Sequence, residues 1–206
     1  EKIYRKTREN FESDGNPGNN LLPRIPEIQE VFDQPAVHSI LTSILGPNYL
    51  MHSHRHPHHN VPGSAAQTFH KDGCWSRVRH HCPHWALAFY YPQDVVEAIG
   101  PSAVLPGTQY YNNSLHKDSD VGVPLISEAG TVTVLHYDLW HRAMANRTKK
   151  HRYMMKFLFV RMQPPRTSPW TPETREWPPL EPKPPLGEHE AMWSHIWNWL
   201  SGKEPS

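Results

Sequence analysis

The sequence predicts a mainly β domain of the sandwich or jelly-roll kind with helices at its flanks, and three observations lead there. Short apolar, aromatic or β-branched runs recur after residue 65, separated by glycine and proline turn signals. The strand–helix alternation that a parallel α/β sheet requires is absent. One amphipathic helical segment precedes the strands rather than separating them.

In chain order, residues 1–30 are polar, rich in Asn, Gly and Pro, and weakly periodic. Ile28, Val31, Phe32, Val37, Ile40, Leu41 and Ile44 follow, and the later part of this stretch predicts an amphipathic helix that ends before Gly46-Pro47. Tyr49-Leu50-Met51 opens an extended segment. The run Trp85 to Tyr91 is stopped by Pro92. Ser102 to Leu105 sits between Gly100-Pro101 and Pro106-Gly107, two turn signals. Gly130 to Leu135 is β-branched after its glycine, and Tyr153 to Val160 is a further apolar run. These segments read as short strands joined by turns. From Pro164 to Pro185 the density of proline precludes regular helix or central strand and predicts an extended arm. Glu188 to Leu200 is a short helix candidate with Met192, Trp193, Ile196, Trp197 and Leu200 on one face. That face either docks on its own domain or serves as a homodimer contact or site cover. The expected division is a domain over 1–163 and an arm with a terminal helix over 164–206.

Bulk properties exclude several classes. A chain of 206 residues supports one domain with a sizeable core. A net charge of +1 gives no basic field for nucleic acid. No apolar run is long enough to span a membrane. Glu1-Lys2-Ile3-Tyr4-Arg5 is not a signal peptide and lacks an initiator Met, so the start of the chain is left open, and with two cysteines a reducing, cytoplasmic compartment is the expectation. Cys74 and Cys82 make neither a disulfide framework nor a zinc ribbon. Asn112-Asn113-Ser114 and Asn146-Arg147-Thr148 match the glycosylation pattern, which is short enough to arise by chance.

The chemistry concentrates in two places. In Thr68-Phe69-His70-Lys71-Asp72-Gly73, a strand would turn His70 and Asp72 to one face and Lys71 away. Trp140-His141-Arg142, near the end of the β-rich stretch, can supply a third ligand. Two histidines and one carboxylate form the facial triad of non-haem Fe(II) oxygenases, which leaves coordination positions open for cosubstrate and oxygen. A His-x-Asp pair alone is weak among 16 histidines. A metal-free hydrogen-bonded network is the competing reading of the three, and His136 competes with His141.

The surrounding residues make the pattern specific. Gly100-Pro101-Ser102-Ala103-Val104-Leu105-Pro106-Gly107-Thr108 resembles the Gly-Pro-Thr-x-x-x-Pro-Gly-Ser stretch of the phytanoyl-CoA dioxygenase family. Gly130-Thr131-Val132 through Trp140-His141, then Asn146-Arg147-Thr148, resembles that family's distal-histidine segment. Arg152 follows His141 by 11 residues, the family's spacing for its cosubstrate arginine, which His136 does not match. Gly46-Pro47 and Pro62-Gly63 also correspond, and the resemblance covers roughly residues 34 to 160.

This resemblance implies a double-stranded β-helix (a cupin-like jelly roll), Fe(II), 2-oxoglutarate as cosubstrate and O2. It implies hydroxylation of a small organic molecule with release of succinate and CO2. The Arg152 guanidinium would grip the far carboxylate of 2-oxoglutarate through two charge-assisted hydrogen bonds. Ser102 and Thr68 are further cosubstrate contacts by the same resemblance. Departures are Lys71 where the family often has Gln, and Ala143 where relatives often carry a small hydroxyl residue. Asp72 itself disfavours halogenation, since related halogenases carry a small residue there. The alternating His52, His54, His56 and His58 read as a polar strand leading toward the pocket, with a second metal site as the alternative. Arg77, Arg79, His80, His81 and His84 form a basic loop that is either solvated or contacts an acidic substrate. The rival to an oxygenase is a differently metallated or non-enzymatic cupin-like binding protein.

Overall fold

The most apolar stretches of the chain become its central strands, because only strands buried on both faces tolerate unbroken apolar runs. The computed structural model describes residues 1–72, 83–110 and 121–163. Among the described residues seven strands form, β1 (Leu50–Asn60), β2 (Trp85–Tyr90), β3 (Ser102–Val104), β4 (Val123–Pro124), β5 (Val132–His136), β6 (His141–Ala143) and β7 (Arg152–Val160). They make two antiparallel sheets, one ordered β1-β7-β2-β5 and the other β4-β3-β6. Strand β7 lies between β1 and β2, so it is paired on both edges.

Alternation divides the larger sheet into two faces. One face carries Ala86, Ala88, Tyr90, Met155, Phe157 and Phe159, which pack with Leu21, Ile25, Ile28, Phe32, Leu41 and Leu45 of the N-terminal helical layer. Phe32 meets Phe157 edge-on at 4.5 Å between ring centroids. The opposite face carries Leu87, Phe89, Tyr91, Met154 and Leu158, packed with Val95 and Ile99. This second face looks toward the smaller sheet, where Phe89 meets the His141 ring at 5.7 Å.

The helical layer comprises α1 (Lys2–Ser13), α2 (Leu21–Arg24), α3 (Glu27–Phe32) and α4 (Pro35–Leu45). Helix α4 begins with proline in its first turn and ends at Gly46, whose φ of +87° suits glycine. The weak periodicity of residues 1–30 concealed three helices. In α1 the apolar residues are few, but Tyr4 and Phe11 both meet Tyr153 on β7, at 5.9 and 5.3 Å. Lys2 and Lys6 both pair with Glu27, which ties α1 to α3.

Among the described residues, no helix is long and apolar enough to cross a membrane. The proline arm, the helix candidate 188–200, Trp75, Arg77, Arg79, His80, His81 and Asn112 lie outside the described residues. Asn146, by contrast, is buried. Its side-chain nitrogen donates to the carbonyls of Asn60 and Lys150, and its oxygen accepts from Thr148. The Asn-x-Thr pattern there is a loop clamp that fixes how the chain passes from β6 into β7.

Candidate metal centre

The His70 segment is not a regular strand. It pairs with β6 through a single antiparallel bridge, His70 to His141, closed by backbone hydrogen bonds of 3.0 Å in both directions. That bridge sets the two imidazoles side by side, with ring centroids 4.6 Å apart. Asp72 follows two residues later and turns to the same place. One ligand atom from each of His70, Asp72 and His141 lies within 4.8 Å of the others. Among the described residues no other such cluster forms. His136 points elsewhere, its Nδ1 accepting from the Asp138 backbone N–H.

Backbone carbonyls orient both rings. Nδ1 of His70 bonds the Thr68 carbonyl at 3.1 Å, and Nδ1 of His141 bonds the Leu139 carbonyl at 2.9 Å. A carbonyl only accepts, so each Nδ1 carries the proton and each Nε2 keeps its lone pair. Two imidazoles with their tautomers fixed in this way, beside a carboxylate, form a donor set for a divalent ion. Burial lowers the pKa of His70 despite the opposing Thr68 carbonyl, which keeps that ring neutral. Burial alone would raise the Asp72 carboxyl, but hydrogen bonding to His141 and the Lys156 ammonium outweigh it. The carboxylate is therefore held well below its ordinary range. Oδ2 of Asp72 lies 3.4 Å from His141 Nε2 and 2.8 Å from Lys156 Nζ.

Thr68 is exposed, and its carbonyl accepts from His70 Nδ1. Lys71 reaches the Thr108 carbonyl at 3.1 Å and lies 6.0 Å over the Trp140 ring. Ser102 is buried on β3, opposite Ala143 on β6.

Among the described residues Arg152 is the largest fully buried side chain, with no exposed surface. Its Nε donates to the Gly100 carbonyl at 3.0 Å, while Nη1 and Nη2 are buried with no partner. Burial lowers its pKa to about 10, which the neighbouring Tyr91 resists, so the guanidinium stays charged at neutral pH. Tyr91 likewise has a buried hydroxyl without a hydrogen-bond partner, close enough to Ser102 and Arg152 to feel both. Unpaired buried donors cost roughly 1–3 kcal/mol each, and more when charged. Three at one place call for an acceptor with two or more oxygens, and a carboxylate matches the guanidinium fork. Gly100 makes the arrangement possible. Its φ is +77°, and a Cβ there would stand 2.6 Å from the Met144 carbonyl oxygen.

Two residues escaped the sequence reading. Lys156 interrupts an apolar run, and its inward direction follows only from the register of β7 against its neighbours. Tyr91 ends the run that begins at Trp85 and reads as core; its orphaned hydroxyl becomes visible only beside Arg152.

No curated protein matches the chain in sequence at a significant level. Among solved structures it is similar to the apo form of the non-heme monooxygenase ThoJ, with TM-score 0.54, 18% identity, and 65% of this chain and 56% of that one covered. The chain thus spans just over half the length of that protein. It is also similar to SnoK, a non-heme alpha-ketoglutarate-dependent carbocyclase from nogalamycin biosynthesis, with TM-score 0.61, 16% identity and coverage of 77% and 73%. A third is HygX from Streptomyces hygroscopicus with nickel and 2-oxoglutarate bound, with TM-score 0.58, 13% identity and coverage of 78% and 77%. At these identities the likeness is one of fold. The phytanoyl-CoA dioxygenase (PhyH) family model matches residues 5–154, so the chain belongs to the phytanoyl-CoA dioxygenase family.

Proposed function

We propose that this chain is an Fe(II)- and 2-oxoglutarate-dependent oxygenase that hydroxylates a small organic molecule. The observation that carries the reading is the buried, charged and half-partnered Arg152 within the same fold interior as a His-Asp-His cluster. A metal-binding jelly roll without a cosubstrate has no use for such a guanidinium. The family uses Fe(II) and 2-oxoglutarate, and the residues present fit both. His70, Asp72 and His141 would hold the iron through two Nε2 atoms and a carboxylate oxygen. Arg152, with Tyr91 and Ser102 beside it, would hold the far carboxylate of 2-oxoglutarate. We read the two facing antiparallel sheets as a double-stranded β-helix with the cluster between them.

Bound iron and cosubstrate supply the oxidising chemistry, with succinate and CO2 as co-products. The chain's own residues do the positioning. The Thr68 and Leu139 carbonyls keep both imidazoles in the ligating tautomer. Lys156 holds the carboxylate of Asp72 in its ionised form. Phe89, Met154, Leu87 and Leu158 line the interior face and keep bulk water from the reacting centre. Hydroxylation is the simplest outcome, although fold neighbours include a carbocyclase.

The test is succinate formation from 2-oxoglutarate, measured with Fe(II) under oxygen and under nitrogen across candidate small molecules. Oxygen-dependent succinate above the no-iron control is expected. Its absence, together with absent 2-oxoglutarate binding, would favour the metal-binding protein without catalysis.

A further inference from the structure

The larger sheet presents more basic groups to the interior than metal and cosubstrate require. On β1, His56 stands directly opposite Lys156, and His58 opposite Met154. Cross-strand partners share a face, so both imidazoles turn the same way as Lys156. His54 lines a cavity of about 70 Å³ with Asp72, Leu87, Tyr137, Lys156 and Leu158. On this measure roughly 10–15 Å³ is enough for one water, so the space admits a small polyatomic anion. Asp72 is the one carboxylate among the described residues lining it.

Charge decides what belongs there. A divalent ion and a 2-oxoglutarate dianion cancel. Asp72 cancels one of the two β7 cations, Arg152 and Lys156. Among the described residues one positive charge then remains in a poorly solvated interior, where an uncompensated ion is costly. The imidazoles do not add to it. Burial, followed by the field of Lys156, lowers the pKa of His56, and the same causes bring His58 to about 3. His56 Nε2 accepts from the Asn16 side-chain nitrogen at 3.3 Å, while the neutral ring of His58 can donate to an anion without adding charge. Nε2 of His58 is buried and without a partner. An ammonium has three donors, and Asp72 occupies one of those of Lys156.

We propose that Lys156, flanked by His54, His56 and His58, is the docking point for an anionic group of the substrate, a carboxylate or a phosphate, held beside the metal. The proposal rests on the oxygenase reading above, and it makes the substrate a small organic acid or phosphate ester. Lys156 is then a specificity-determining residue distinct from Arg152, which serves the cosubstrate.

The test uses the full chain loaded with Zn(II), a redox-silent ion, and saturated with 2-oxoglutarate. Butanoate, butyl phosphate and the neutral butanamide are titrated calorimetrically into wild type, Lys156→Met and Lys156→Arg. Zinc content, 2-oxoglutarate affinity and circular dichroism are measured on the same samples. One or both anions should bind wild type, butanamide should not, and Lys156→Met should weaken the anion by about ten- to a hundredfold. Lys156→Arg should retain most of the affinity, and it carries the comparison if Lys156→Met does not fold. The preferred anion tells the carboxylate source from the phosphate source. Binding of the anions no tighter than butanamide overturns the proposal, as does equal binding to Lys156→Met, which would place the anion on the metal. If 2-oxoglutarate still binds in those cases, the oxygenase reading stands. If wild type binds no 2-oxoglutarate, that reading falls and this one with it.

Discussion

Replacing Arg152 with alanine separates the oxygenase from a simpler metal-binding protein. The side chain is wholly buried, Nε is spent on the Gly100 carbonyl, and Nη1 and Nη2 have no protein partner. Those two nitrogens are the ones a carboxylate would engage. Without them, the far carboxylate of 2-oxoglutarate would be desolvated and unpaired, and breaking such a buried pair costs on the order of 3–5 kcal/mol. At about 1.4 kcal/mol per decade, cosubstrate affinity should fall two to three orders of magnitude. Removing the guanidinium leaves the Gly100 carbonyl with the Asn60 side-chain nitrogen, at 3.3 Å, as its remaining side-chain donor. Arg152→Lys should recover only part of the affinity, because it keeps the charge but not the fork. Iron affinity should change little, since Arg152 is not among the clustered ligands. The assay is titration of the anaerobic Fe(II) protein with 2-oxoglutarate, followed by the visible charge-transfer band. Unchanged affinity in folded Arg152→Ala would mean that another residue holds the cosubstrate or that none binds.

Other perturbations test separate parts of the argument. His141→Ala should abolish Fe(II)-dependent succinate formation while circular dichroism stays unchanged, and His136→Ala should leave turnover standing; the reverse pattern would transfer the ligand role to His136. Gly100→Ala should destabilise the fold by roughly 2–4 kcal/mol in urea, combining a left-handed backbone with a Cβ that meets the Met144 carbonyl at 2.6 Å. His58 titrates at about 3 when folded and near 6.5 when unfolded, so the unfolded chain binds the extra proton and stability is lost as pH falls from 6.5 toward 3. That amounts to about 2 kcal/mol at pH 5, and His58→Gln should flatten this part of the stability–pH curve in urea melts at pH 5 and 7.5. Asn146→Ala should lose the two carbonyl contacts that shape the β6–β7 loop and lower thermal stability, with 2-oxoglutarate affinity falling as Arg152 is displaced.

Local sequence determined what short-range physics can determine. Trp85–Tyr90 and Arg152–Val160 are strands because each is an apolar, aromatic run closed by breakers, and Pro35–Leu45 is a helix because its apolar residues recur at helical spacing before a glycine. The grouping of His70, Asp72 and His141 was expected from residue type together with the family resemblance, which includes the spacing to Arg152. Other features were settled only when distant segments met. Helix α1 carries too few apolar residues to declare itself; Tyr153, 149 positions along the chain from Tyr4 and 142 from Phe11, gives its aromatic side chains something to pack on. The His-x-Asp segment is aligned by one bridge to β6 rather than by a strand of its own. The fixed tautomers depend on two backbone carbonyls that no side-chain pattern encodes. Lys156 could face either way within its apolar run, and a shift of one residue in the pairing of β7 would turn it out of the interior. The family resemblance, carried by residue types at their spacings, thus pointed to a metal and a cosubstrate, while register and burial decided which way Lys156, Tyr91 and His58 face.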